Sequence, residues 1–137
     1  MGRWLSIDYG EKRIGIATTD PLRMFVSPLE TIDNKSDEYV FSRLLIIFRE
    51  QEVDKVIVGL PISLEGNDTK KTIEVRSFFQ KLSKRTNLEL EWWDERFSTS
   101  EANDFLKQKK INWKDSRKII DQIAAAVILT NYLENKK

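Results

Sequence analysis

Three acidic residues stand where a carboxylate does more than solvate a surface. Asp8 closes the apolar run Leu5-Ser6-Ile7, one residue before Tyr9 and two before Gly10. A carboxylate at a strand end beside glycine is placed for a metal or a phosphate, because glycine admits a ligand close to the backbone. The same pair also begins ordinary turns. Glu95 follows Leu88–Asp94, a run of strand character, and precedes Ser98-Thr99-Ser100-Glu101, which fits a capping box at the start of a helix. Asp121 interrupts the apolar row Ile119, Ile120, Ile123, Ala124, Ala125 and Ile128. Burying an unpaired carboxylate costs several kcal/mol, so Asp121 needs a cation or hydrogen-bond donors, and Arg117 and Lys118 are the local candidates. For Glu95 the plain alternative is a salt bridge to Arg96 or a nearby lysine.

Were the three acids to converge, their repulsion would raise the pKa values and divalent ions would relieve it. Two Mg²⁺ or Mn²⁺ ions about 4 Å apart would activate water and stabilise the leaving oxygen of a phosphodiester. Composition narrows the choice. The chain has no His and no Cys, which excludes a Ser-His-Asp triad, a thiolate nucleophile, a disulfide framework and cysteine-ligated zinc. Catalysis must then use carboxylates, hydroxyls, Lys, Arg or a bound ion, and an all-carboxylate site suits a hard cation. The net charge of +1 gives no guidance on a partner, so the placement of charge matters more than its total.

The elements that must position these acids can be read in order. At 137 residues, 40% hydrophobic and 33% charged, the chain reads as one globular domain over 1–137. No apolar run approaches the ~20 residues of a membrane span, and no secretory leader opens it, so the expected location is cytoplasmic, with no membrane partner. Two extended segments flank the Gly10 break as a hairpin, and Val26–Ile32 is a third, with Pro28 indicating an edge or a strand start. Val40, Phe41, Leu44, Leu45 and Phe48 recur at helical spacing in a segment capped by Ser36 or Asp37 and running to about Glu52. Lys55–Pro61 is a short β-branched run that predicts a buried, central strand parallel to the first. A second helix over about Thr69–Arg85, carrying Ile73, Phe78, Phe79 and Leu82, the Leu88–Trp93 strand, a short helix from Ser98 and a last helix over about Asp115–Asn135 complete the order βββ-α-β-α-β-α-α. That order predicts an α/β architecture: a five-stranded mixed sheet with helices on both faces. Strand ends of such sheets are where ligands bind.

Four blocks carry a resemblance: D-Y-G-E-K-R-I-G-I-A-T-T-D (Asp8–Asp20), V-G-L-P (Val58–Pro61) followed by Gly66, D-E-R-F-S-T (Asp94–Thr99), and D-Q-I-A-A-A-V-I-L-T-N-Y-L (Asp121–Leu133). In order and spacing they resemble the YqgF family, also called RuvX, over nearly the whole chain. The resemblance implies an RNase H-like fold of the RuvC resolvase type. Members are described as Holliday-junction resolvases and as nucleases processing the 5′ end of pre-16S ribosomal RNA. It carries the catalytic and metal-ligating roles onto Asp8, Glu95 and Asp121, with Asp94, Ser98 and Thr99 supporting them. Asp94 and Glu95 compete for one ligand position, since neighbouring strand residues face opposite sides; the expectation is Glu95. Phosphate contacts are expected from Gly10, Lys12, Arg13, Arg96, Lys109, Lys110, Lys114, Arg117 and Lys118. The segment before the last helix keeps positive charge but lacks the family's glycines, and Trp113 within it can stack on a base or pack against the domain.

The expected function is therefore a Mg²⁺- or Mn²⁺-dependent nuclease acting on pre-16S rRNA, with ribosomal particles as possible partners. Two alternatives stay open: a resolvase of branched DNA, and a nucleic-acid-binding ribosome-assembly factor without turnover. Monomer and homodimer are both compatible with the sequence, although a resolvase needs two-fold symmetry to cut two strands.

Overall fold

A computed structural model describes residues 2–95 and 116–135, with the side chains of Ser116 and Arg117 outside that description. Five strands form one sheet: β1 (Arg3–Asp8), β2 (Arg13–Thr19), β3 (Val26–Asp33), β4 (Val53–Leu60) and β5 (Glu89–Asp94). Their order is β3-β2-β1-β4-β5. β1, β2 and β3 pair antiparallel, while β1–β4 and β4–β5 are parallel, so the sheet is mixed as expected. Pro28 lies on edge strand β3, where the register shifts between Ile16 and Ala17 of its neighbour. Three helices are described: α1 (Asp37–Glu50), α2 (Lys70–Ser83) and α3 (Ser116–Asn135). The helix expected from Ser98 lies outside the described residues.

Strand alternation divides the interior in two. Leu5 and Ile7 of β1, Ile14 and Ile16 of β2, and Val56, Val58 and Leu60 of β4 pack with Val40, Phe41, Leu44, Ile47 and Phe48 of α1 and Val75, Phe78 and Leu82 of α2. The opposite face carries a smaller cluster, Ile57 with Ile128, Leu129 and Tyr132 of α3, flanked by Trp4, Val26 and Trp93. At roughly 1.5–3 kcal/mol per buried aliphatic or aromatic side chain, the first face supplies most of the apolar stabilisation. One detail of the second helix differs from its sequence pattern. Ile73 is exposed, and the buried stripe runs through Thr72, Val75, Phe78 and Leu82 instead. The cause is the cap: Thr69 and Thr72 bond reciprocally, and the Thr72 hydroxyl also donates to the Pro61 carbonyl, which turns position 72 inward.

Candidate active site

The alternation that builds the cores also sorts the acids. Asp8 has the parity of Trp4 and Ser6, whose side chains meet α3: Ser6 donates to the Ala125 carbonyl, and Trp4 packs edge-on to Tyr132. Asp94 has the parity of Leu90 and Trp92, which pack on the α1–α2 side. Glu95, one residue on, turns toward the α3 side, and its carboxylate carbon stands 3.2 Å from where a β-carbon on Gly59 would lie. Gly59 is in β4, the strand between β1 and β5, so the bare backbone there lets the Glu95 carboxylate lie over the sheet near Asp8. Asp121 arrives from α3. A β-carbon on Gly15 would fall 1.9 Å from the Asp121 carbonyl oxygen, so the helix backbone rests directly on β2. Gly15 is paired with Asp8 across the β1–β2 ladder, which fixes the level of α3 relative to that acid.

Asp8 is half-buried, and its carboxyl is raised from 3.8 to about 7, first by burial and then by the Glu95 carboxylate. Lys71 offsets part of this, and Asp121 adds a smaller push upward. Glu95 is also raised, by burial first, with Lys71 pulling it down and Asp94 pushing it up. Asp121 is held differently. Arg13 Nε donates to its Oδ2 at 2.8 Å, and both side chains are about a quarter exposed. Among the described residues Arg13, and not Lys118, is the cation on Asp121, while the Arg117 side chain lies outside the described residues. That cation comes from β2, 108 positions earlier, because the contact at Gly15 brings the strand's first residues under the helix. Lys118 is exposed, and its carbonyl accepts from the Thr31 hydroxyl at 2.6 Å. Among the described residues no three acids stand close enough together to hold an ion in this arrangement.

Beside the acids opens a cleft of about 470 Å³, lined by Gly10, Glu11, Lys12, Arg13, Lys70, Lys71, Glu74 and Asp121. Gly10, Lys12 and Arg13, three of the expected phosphate contacts, line this cleft. Gly10 has a structural need besides: a β-carbon there would lie 2.4 Å from the Arg13 carbonyl oxygen, so only glycine lets this turn close. The Asn34 amide donates to the Gly10 carbonyl at 2.9 Å and secures the turn. Arg96, Ser98, Thr99, Lys109, Lys110, Trp113 and Lys114 lie outside the described residues, as does the Arg117 side chain. Lys70 and Lys71 went unmarked in the sequence, although a signal was present. They are the first two residues of α2, whose first turn contains no acid. Lysines there oppose the helix dipole, an unfavourable placement that points to a use for the charge outside the helix.

The RuvX family profile, described as "Holliday junction resolvase", matches residues 2–135. By fold the chain is RNase H-like of the RuvC type. It superposes on RuvC of Thermus thermophilus in complex with a Holliday junction with a TM-score of 0.64, covering 100% of this chain and 98% of that one at 10% identity. A Fowlpox virus resolvase in complex with Holliday junction DNA gives 0.63 at 14% identity, covering 97% of each chain. The chain itself belongs to the RuvX (YqgF) family. A relative from Fusobacterium nucleatum, named "Putative pre-16S rRNA nuclease", is 40% identical over 139 residues and covers 100% of both chains. Another of the same name from Maridesulfovibrio salexigens is 38% identical over 129 residues, covering 94% of this chain and 96% of its own.

Proposed function

We propose that this chain is a single-domain, divalent-metal-dependent nuclease that trims the 5′ end of pre-16S rRNA in the cytoplasm, with Asp8, Glu95 and Asp121 as its metal ligands. The observation that carries the reading is the pairing of two half-buried carboxylates, Asp8 and Glu95, each driven toward its protonated form by burial and, for Asp8, by the other's charge. Hard oxygen donors raised in this way fit Mg²⁺ or Mn²⁺, which restores their ionised forms. When bound, such ions lower the pKa of water and act as Lewis acids toward the phosphodiester. The remaining work falls to the chain. Asp8 would hold the ion in its ionised form, Gly59 keeps a place for Glu95, and Gly15 sets the height of Asp121. Lys12, Lys70 and Lys71, all lining the cleft, hold the phosphates on either side of the cut. The names borne by the relatives favour the ribosomal precursor.

Cleavage of branched DNA is the second reading, favoured by the description of the family profile. The decisive experiment presents pre-16S RNA and four-way DNA side by side with Mg²⁺, Mn²⁺ or EDTA. The proposal expects metal-dependent shortening of the RNA that vanishes in Asp8→Asn. Preferential cutting of the junction by a two-fold dimer would install the second reading. Binding of either nucleic acid with no cleavage, indifferent to Mg²⁺ and to loss of the acids, would mean a non-catalytic binding factor.

A further inference from the structure

The Arg13–Asp121 ion pair sets two expected roles against each other. Arg13 is a candidate phosphate contact lining the cleft, and Asp121 is a candidate metal ligand, yet each occupies the other at 2.8 Å. We propose that Arg13 is a positioning residue with two alternative partners: it holds Asp121 in the resting site and releases it when a nucleic-acid phosphate takes its guanidinium. The inference rests on the metal-site reading above.

Three observations support an exchange rather than a fixed structural bridge. First, the contact is a single Nε–Oδ2 bond and not the two-pronged fork that Arg43 makes with Glu30, where Nε and Nη2 bind both carboxylate oxygens at 2.7 and 2.6 Å. A one-donor contact is more easily given up than a fork, so a phosphate that offers the guanidinium a two-pronged contact can displace the carboxylate. Second, both partners are about a quarter exposed and face the open cleft, so a phosphate can reach them. Third, the backbones on either side are pinned independently of the pair. β2 lies against α3 through the Gly15 contact, and the Gln122 amide donates to the Thr31 hydroxyl at 3.1 Å. Loss of the ion pair therefore moves side chains, not elements. Arg13 and the metal compete for one carboxylate, while Asp121 and the phosphate compete for one guanidinium. Metal and nucleic acid must then favour each other's binding through this residue, and the linkage is reciprocal.

The test needs no turnover. In EDTA at low salt, the affinity of a labelled 12-nucleotide single-stranded RNA is measured for the wild type, Asp121→Asn, Arg13→Gln and the double variant. Freeing Arg13 should strengthen RNA binding about fivefold in Asp121→Asn, the worth of a partly exposed ion pair. The same change should give less than about twofold in the Arg13→Gln background. Lys12→Gln, which removes a cleft charge not paired with Asp121, should leave the gain in place. Equal gains with and without Arg13 would overturn the inference. Should Arg13→Gln not fold, Arg13→Met keeps the aliphatic stem and closes the same cycle. Mn²⁺ titration forms the second arm: Arg13→Gln should tighten Mn²⁺ binding about fivefold, and Asp8→Asn should abolish it. Unchanged Mn²⁺ affinity in Arg13→Gln, with binding abolished in Asp8→Asn, sinks the exchange alone. Wild-type Mn²⁺ affinity in Asp8→Asn sinks the metal-site reading, and the RNA cycle still decides what Arg13 does.

Discussion

Replacing Asp8 by Asn should make the metal-free protein more stable, by an amount that grows with pH. The carboxyl titrates at about 7 in the folded chain against 3.8 in its ordinary state. Between those values the folded chain holds a proton that the unfolded chain has lost, so stability falls as pH rises through the window. Below about 4 both states are protonated and Asp8 contributes nothing. Above about 7 both are ionised, and the full displacement, roughly 4 kcal/mol as a ceiling, weighs against the fold. Asn has nearly the same shape and no charge. The variant's advantage should therefore rise from under about 2 kcal/mol at pH 5 to about 4 kcal/mol at pH 8. Glu95 is raised in the same direction, so part of the pH dependence should persist in the variant. Urea denaturation in EDTA at pH 5, 6, 7 and 8, followed by circular dichroism, measures this directly. Saturating Mg²⁺ should then stabilise the wild type by about 2.7 kcal/mol at one hundred times its dissociation constant, and the variant hardly at all. An advantage that does not change with pH, or a variant less stable at pH 8, would refute the view that Asp8 is an uncompensated acid awaiting a cation.

Other substitutions separate the parts of the site. Gly15→Ala puts a β-carbon 1.9 Å from a helix carbonyl that cannot step aside, and should cost about 1–3 kcal/mol in a thermal or urea melt while weakening Mn²⁺ binding. Gly59→Ala meets only side-chain ends, Ile128 Cδ1 at 2.5 Å and the Glu95 carboxylate at 3.2 Å, so the protein should fold but bind Mn²⁺ about tenfold more weakly. Joint replacement of Lys70 and Lys71 by Gln should lower the slope of log affinity against log salt for single-stranded RNA by about 0.7 per lost phosphate contact, read by fluorescence anisotropy. Tyr132→Phe removes a hydrogen bond to Glu91, which also pairs with Lys55 at 2.9 Å, and should cost about 1 kcal/mol of stability with Mn²⁺ affinity unchanged.

The parts of this architecture visible in the sequence are those set by local periodicity. The β-branched run at Val56–Val58 reads as an interior strand and the alternation around Gly10 as a hairpin, and the sheet contains both. The motif blocks single out Asp8, Glu95 and Asp121, and strand parity explains why Glu95 rather than Asp94 turns toward the α3 side. What could not be read was the pairing of charges across the fold. Arg13 lies beside Asp121 because two backbones touch at a glycine, and nothing in either local sequence announces that contact. The inward turn of Thr72 was hidden for a similar reason, since it depends on a carbonyl eleven positions away.

The division of the interior into two cores has a consequence for how the site comes into being. Asp8 rides on a strand that packs into the larger core with α1 and α2, whereas Asp121 rides on α3, anchored by the small cluster around Ile57 and Tyr132. α3 follows all five strands in the chain. A nascent chain can assemble the sheet and its first two helices while still missing one of the three acids. On the proposed ligand set, the site would lack Asp121 until α3 has docked on the small cluster.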